Sequence, residues 1–391
     1  MDRALLLAGR GLRAFGFGFA AVLIGVHLEH LGLSASLIGV TLGIGLAAGS
    51  LSGLGMAYLA ARVGRRMALS ICGLLMAVTG LDLALATQDL WLVASGITGM
   101  LGAASVDLGP FASVEQAALA EAVPPSSRNI AFARYSLTAG LFNAAGGLAA
   151  ALASAFGSTR AFFLLYAAIG VITAGLPFLM STRIESERRE PAFGALRRPE
   201  VRRLLAGLAA LFALDSFAGG FVTNSVISYW LHVRFGAGPA LLGPTFAVIA
   251  LLQAVSYEVS GRLSGRIGLI NTMVFTHLPS NLLLLLVALS PSISWAIGLL
   301  FARFLLSQMD VPARQAYIVS IVPPADRAAA VALTGAARGA AMAFGPPIAG
   351  IAIGAAAFGL PFLAGGGLKI VYDVALYAAF RGVAPTMSDT P

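Results

Sequence analysis

The 391-residue chain has one cysteine, four histidines and very little charge. The lone Cys72 excludes an internal disulfide, and its place in an apolar run leaves no thiol pair for metal or redox chemistry. Charged residues make up 11% of the sequence and hydrophobic residues 58%, with a mean hydropathy of +0.88, whereas soluble domains are roughly a quarter charged. That balance excludes a soluble core. The residue alternation of a membrane β-barrel is missing too. No Walker loop, His-Glu-x-x-His or Gly-x-Ser-x-Gly occurs, so neither ATP-driven pumping nor hydrolysis has support. No enzyme, cofactor or metal site is expected. The first apolar stretch is long and ends without a small-residue cleavage pattern, so it is read as a permanent helix.

What the chain does have is a succession of apolar runs, each long enough to cross about 30 Å of hydrocarbon as a helix. Punctuated by Gly, Pro and charge, they predict twelve spans near residues 5–30, 34–60, 67–86, 91–118, 130–154, 160–182, 203–232, 241–264, 271–289, 294–320, 329–352 and 359–380. The expected fold is an all-α membrane protein of two six-helix bundles, over 1–182 and 203–391. The hydrophilic stretch 183–202, with Glu185, Glu187, Arg188, Arg189, Glu190, Arg197 and Arg198, reads as a cytoplasmic linker.

A net charge of +8 would suggest nucleic acid for a soluble protein, but here the basic residues set topology. With the N-terminus inside, the inner loops hold Arg62, Arg65, Arg66, Arg128, Arg262, Arg266 and Arg327 besides the linker. The outer loops hold only Arg160 and Arg234. Both termini are therefore expected in the cytoplasm, and the lipid bilayer, not nucleic acid, is the expected partner. Trp91, Trp230 and Trp295 all fall at predicted outer ends and read as an aromatic belt.

The two halves repeat. Glu115-Gln116-Ala117 through Val123-Pro124-Pro125 to Arg128 matches Arg314-Gln315-Ala316 through Val322-Pro323-Pro324 to Arg327 at an offset of 199 positions, and Gly146 matches Gly345 at the same offset. Parallel repeats of six helices are a transporter architecture, with the solute site between the halves near mid-membrane.

The loop after span 2 contains Ala57, Ala61, Arg62, Gly64, Arg65 and Arg66, and its second-half echo contains Gly261, Gly265, Arg266 and Gly268. On this motif and the repeat, the chain resembles the major facilitator superfamily over nearly its full length. The family pattern is Gly-x-x-x-Asp-Arg-x-Gly-Arg-Arg, and its acidic residue, which helps latch the cytoplasmic side, is absent from both loops here. Gly345-Pro346-Pro347-Ile348-Ala349-Gly350 in span 11 is similar to the Gly-Pro signature of family exporters, although that signature belongs in span 5. The resemblance implies rigid halves rocking about a central site lined by spans 1, 4, 7 and 10.

Those spans carry Arg10, Arg13, Asp107, Glu115, Asp215, Arg303, Asp310 and Arg314. Each ionised side chain near the bilayer centre costs on the order of 3 kcal/mol, so it needs a partner, water or a purpose. Two readings stay open, a water-filled path and buried structural pairs. Arg303, Asp310 and Arg314 fall within roughly 40° of one another around a continuous helix, and Pro312 would loosen it as a hinge. Asp310 and Arg314 are spaced to pair. Glu115 and Arg314, repeat-related and opposite in charge, suggest a cytoplasmic gate pair, with a stabilising role in each half as the alternative. Low dielectric disfavours an ionised carboxylate, which makes Asp107 and Asp215, with Asp310, the proton-coupling candidates. Arg10, Arg13, Arg303 and Arg338, the last about 14 Å into span 11, are the substrate-cavity candidates. Lys369 and Asp373 are spaced for an intrahelical salt bridge. His27, Glu29 and His30 read as a solvated interfacial cluster, and Thr276 to Asn281 as a kink that satisfies its own polar groups.

The expected function is secondary transport of a small solute across a bacterial cytoplasmic membrane by a monomer, with proton-coupled efflux ahead of organic-anion uptake, symport or facilitation. A receptor or scaffold on a transporter fold is the alternative from another class. No appended soluble domain that could relay a signal is expected.

Overall fold

The computed structural model describes residues 2–101, 110–121, 128–185, 199–320 and 327–382. Its α-helices are α1 (Asp2–His30), α2 (Ala35–Val63), α3 (Arg65–Leu85), α4 (Asp89–Ala94), α5 (Pro110–Glu121), α6 (Arg128–Ala149), α7 (Leu152–Phe156), α8 (Arg160–Gly175) and α9 (Pro199–Gly220). They continue with α10 (Asn224–Phe235), α11 (Pro239–Ile267), α12 (Leu269–Ala288), α13 (Ile293–Leu306), α14 (Asp310–Ser320), α15 (Arg327–Met342), α16 (Gly345–Gly354) and α17 (Leu360–Phe380). The described residues contain no strand.

Eleven of the twelve expected spans are long and apolar enough to cross a membrane. Span 4 is the exception: α4, a 3-10 turn at Ser95–Thr98 and α5 share it, and residues 102–109, including Asp107, lie outside the described residues. The exposed faces of α3 and α8 are themselves apolar, with Leu74, Val78, Leu85, Val171 and Ile172. Water would disfavour such a surface, and lipid solvates it.

Spans 5, 7, 10 and 11, expected as continuous helices, are each broken in two. In span 7 the Thr223 side chain caps α10 by accepting from the Val226 N–H, which starts a new helix after Gly219-Gly220. In span 10 the chain leaves α13 at Ser307 and restarts on Asp310, whose carboxylate suits a helix N-terminus. Pro312 therefore sits in the first turn of α14, where its missing N–H breaks no intrahelical bond, so it is not a mid-helix hinge. Pro346 and Pro347 start α16 in the same way. The Arg303–Asp310–Arg314 stripe is thus divided between two helices.

Packing divides the chain into two compact units. The first comprises residues 1–190, 223–251 and 346–357, and the second 191–222, 252–345 and 358–391. In the first unit α1 packs on α6 and α3 on α8; in the second α9 packs on α15 and α12 on α17. Numbered as spans, 1 lies on 5 as 7 lies on 11, and 3 on 6 as 9 on 12. The sequence repeat therefore reappears as a repeat of packing. The unit boundaries do not follow the 183–202 linker, because 223–251 and 346–357 group with the first unit. Division at the linker is retained below as a proposal about which bodies move.

Within the first unit, segments from distant parts of the sequence meet closely. Ser228 Oγ donates to the Val22 carbonyl at 2.7 Å, and His232 Nε2 lies 3.2 Å from Glu29 Oε2. A Cβ on Gly39 would collide with the Pro346 carbonyl, so α2 and α16 meet backbone to backbone. Two aromatic and polar expectations change here. Trp230 is completely buried and packs edge-on against Phe235, so only the exposed Trp91 and Trp295 suit a belt. His27 is buried, with Nδ1 2.7 Å from Thr159 Oγ1 and Nε2 2.8 Å from the Leu83 carbonyl, so it ties helices together and is not solvated.

Candidate functional site

The loop motif shows how a short sequence builds local structure. Gly64 and Gly268 join α2 to α3 and α11 to α12 with φ of 90° and 86°, a backbone that only glycine adopts readily. Residues after Gly64 begin α3, whose first N–H groups lack intrahelical acceptors. Glu185 supplies them: its Oε2 accepts from the Arg65 N–H at 2.6 Å and its Oε1 from the Arg66 N–H at 3.3 Å. The Arg65 guanidinium donates to the Ile184 carbonyl at 3.0 Å, and Arg66 donates to the Pro177 and Phe178 carbonyls at 2.9 and 2.8 Å. The carboxylate missing from the motif is thus provided from the chain after α8. Arg62 stacks over the Tyr58 ring, while Gly261, Arg266 and Gly268 are exposed.

Also in the first unit, Arg13 and Glu115 form a buried ion pair at 2.5 Å, and the Tyr135 hydroxyl donates to the other Glu115 oxygen at 2.8 Å. Arg13 lies over the Phe111 ring and Arg10 over the Tyr135 ring, at 4.0 and 4.3 Å to the centroids. Arg13 is therefore engaged with a carboxylate of its own unit. Glu115 and Arg314 each have a partner within their own unit, Arg13 for Glu115 and Asp310 for Arg314.

The second unit concentrates charge to an extent the sequence did not fully disclose. α9 contributes Asp215 and Ser216, α12 His277 and Asn281, α13 Arg303, α14 Asp310 and Arg314, α15 Arg338, and α17 Lys369, Tyr372 and Asp373. Asp215 is the junction. Its Oδ1 accepts from Lys369 Nζ at 2.5 Å and lies 3.9 Å from His277 Nε2, while its Oδ2 lies 3.4 Å from Arg314 Nη1. The same Arg314 nitrogen donates to Asp310 at 2.7 Å, so the i, i+4 pair expected there forms. Leu208, Phe212, Tyr317, Tyr372 and Leu376 belong to one buried apolar cluster, and Arg314 lies over the Phe212 ring at 5.7 Å to the centroid.

His277 joins two carboxylates. Its Nδ1 is 2.8 Å from Asp373 Oδ1, and Asn281 Nδ2 donates to Asp373 Oδ2 at 2.8 Å. A carboxylate can only accept, so the proton belongs on Nδ1, and Nε2 then faces Asp215. The result is a carboxylate–imidazole–carboxylate chain inside the bundle. Two expectations are corrected here. Lys369 and Asp373 do not pair with each other, because each finds a closer partner on a neighbouring helix. Thr276 to Asn281 is more than a kink, since His277 and Asn281 enter the network.

Arg303 differs from the other cations. It is buried, lies against the Phe304 ring, and its Nε and Nη1 find no acceptor among the described residues. A buried donor left unpaired costs about 1–3 kcal/mol, more when charged. Arg338 is half-buried and donates through Nε to Ser216 Oγ at 3.1 Å. Among the described residues no group of three or more His, Cys, Asp or Glu is arranged to hold a metal ion.

The sequence matches the family described as Major Facilitator Superfamily over residues 6–308. A Saccharomyces cerevisiae protein described as "Uncharacterized membrane protein YJR124C" is 23% identical over 98% of this chain and 94% of its own length. Among solved structures, the nucleoside transporter NupG aligns over 97% of this chain and 100% of its own, with a TM-score of 0.78 and 14% identity. A D-xylose-proton symporter aligns over 96% and 97%, with a TM-score of 0.74 and 17% identity. At such identities these structures establish the fold alone. The family match covers most of the chain, and with it the chain belongs to the major facilitator superfamily: it is a multi-pass membrane transporter of small solutes and not an enzyme.

Proposed function

We propose that the chain couples solute movement to protons, with Asp215 as the residue that takes up and gives back the proton. The observation that carries this reading is the position of Asp215 between Lys369, Arg314 and His277. Protonating Asp215 removes the counter-ion of Lys369 and the second acceptor of Arg314 in one event. Low dielectric makes such a change in pairing large enough to bias a conformational equilibrium. His277, held by Asp373 and facing Asp215 at 3.9 Å, is placed to pass the proton on. Asp107 and Asp310 remain secondary carriers in this proposal.

Efflux by antiport is the direction expected from the Gly345-Pro346-Pro347 element. Packing accounts for that element: Gly345 abuts Gly220, a Cβ on either would strike the other's backbone, and the prolines begin α16. Charge favours a second reading, proton symport. Each proton on Asp215 adds positive charge to a site that already has four permanent cations, Arg303, Arg314, Arg338 and Lys369, against three carboxylates, Asp215, Asp310 and Asp373. Proton and solute then bind together more readily than in exchange.

The proposal retains the bundles 1–182 and 203–391 as moving bodies about the 183–202 linker, with Glu115 and Arg314 as the gate residues of another conformation. It also retains a monomer in a bacterial cytoplasmic membrane with both termini inside. The test is a proteoliposome assay with a pH-sensitive dye trapped inside, in which pools of candidate solutes are added to the wild type and to Asp215→Asn. Solute-dependent proton movement, lost in Asp215→Asn, is expected. Solute flux with no proton movement in the wild type overturns the coupling.

A further inference from the structure

The donors and acceptors of the second-unit site do not balance: among the described residues Arg303 Nε and Nη1, the Tyr372 hydroxyl and the acceptor Asn281 Oδ1 have no partner. Asp215 is bonded by Lys369, Asp310 by Arg314, and Asp373 by His277 and Asn281. Arg303 lies within electrostatic reach of Asp215 and Asp310, yet Asp215 Oδ1 is bonded to Lys369 and Asp310 Oδ2 to Arg314, and its Nε and Nη1 meet no acceptor among the described residues. Arg338 is in the same electrostatic cluster, and among the described residues its hydrogen-bond partner is the neutral Ser216 hydroxyl. The Tyr372 hydroxyl, on the same helix face as Lys369, is buried and likewise has no partner.

A buried guanidinium is normally matched by a carboxylate, and here each described carboxylate of the site, Asp215, Asp310 and Asp373, has another partner. Nε and one Nη of a guanidinium form a planar pair of donors that fits the two oxygens of an oxyanion. We infer that Arg303 is the receptor for a small organic anion, donating to its carboxylate or phosphate from the side of its unpartnered Nε–H, with Arg338 as the second cation. The inference rests on the transport reading above and deepens it by naming the class of solute. Charge also orders the steps. A proton on Asp215 raises the positive excess around Arg303, so anion binding tightens as the proton is taken up.

The experiment uses the purified full chain in lipid nanodiscs at constant ionic strength. Probes are benzoate, succinate, inorganic phosphate and glycerol phosphate, with tetraethylammonium and D-xylose as cationic and neutral controls. Melting temperature and saturable binding are read for the wild type, Arg303→Gln and Arg303→Lys. At least one oxyanion is expected to bind saturably. Its affinity is expected to fall about tenfold or more in Arg303→Gln and less in Arg303→Lys. The carboxylate and phosphate arms identify which oxyanion is preferred. Without any anion, Arg303→Gln is expected to melt at or above the wild type, since it removes a buried cation whose Nε and Nη1 no described group accepts.

A protein stabilised only by the cation or the neutral sugar, or by none of the oxyanions, overturns the inference. So does undiminished anion binding by Arg303→Gln, or an Arg303→Gln protein that melts lower or fails to fold, because Arg303 would then be structural. Proton movement lost in Asp215→Asn without any oxyanion response defeats this inference and leaves the coupling standing. Oxyanion binding without proton movement does the reverse.

Discussion

Lys369→Met keeps the length of the only lysine in the chain and removes its charge, which isolates the shortest ion pair of the second-unit network. At 2.5 Å and an effective dielectric of about 20, opposite unit charges attract by about 7 kcal/mol. Desolvation offsets part of this, and removing one partner of a buried pair costs about 3–5 kcal/mol. Asp215 keeps Arg314 at 3.4 Å and His277 at 3.9 Å, so the loss belongs at the lower end, about 3 kcal/mol. At about 2 °C per kcal/mol for a large domain, the melting temperature followed by circular dichroism should fall by roughly 6 °C. Asp215→Asn alone should cost a similar amount by stranding Lys369. The double variant Lys369→Met with Asp215→Asn removes both charges and should melt closer to the wild type than either single variant. Additive losses, with the double variant below both singles, would refute the assignment of Lys369 to Asp215.

In the first unit, Tyr135→Phe leaves one Glu115 oxygen without its donor and should cost about 1–3 kcal/mol in the same melting assay, whereas Tyr135→Phe in an Arg13→Gln background should cost less. Glu185→Ala removes the carboxylate from the start of α3 and should cost about 1–2 kcal/mol; an unchanged melt would mean that water serves those N–H groups equally well. His277→Gln should lose solute-driven proton movement while retaining solute exchange, and proton flux equal to the wild type would remove His277 from the path. Orientation is open to a labelling test in a Cys72→Ser background. Arg381→Cys should react with a membrane-impermeant maleimide only from the cytoplasmic side and Arg160→Cys only from outside, and the opposite pattern would invert the topology.

Long apolar runs made the spans legible, because crossing hydrocarbon constrains composition over some twenty residues at a time. The breaks within spans 5, 7, 10 and 11 were not legible. Each is set by one or two residues, such as the Thr223 cap or the restart on Asp310, and these leave the apolar average unchanged. Intramembrane charges are conspicuous for the same reason that the spans are, so Asp215, Arg303, Asp310, Arg314 and Arg338 stand out in the sequence. Their partners were harder to find. Spacing shows which residues can meet on one helix, as Asp310 and Arg314 do, but it cannot show that a neighbouring helix offers something closer. Lys369 and Asp373 satisfy the i, i+4 rule and still part company, Lys369 for Asp215 and Asp373 for His277. The repeat likewise located Glu115 and Arg314 without giving their contacts. A signal for His277 and Asn281 did exist: two polar side chains four residues apart within an apolar span need partners from outside their own helix.

The composition of the first unit also bears on how the protein is made. Residues 1–190 emerge first, yet the unit they belong to is completed by 223–251 and 346–357. Gly39 in α2 cannot meet Pro346 until nearly nine-tenths of the chain has been synthesised. The leading helices must therefore wait in the bilayer with one side uncovered while the rest are inserted, open to premature association and to quality-control proteases. Substitutions in 346–357 should consequently lower the yield of folded protein by arresting the assembly of helices made long before them.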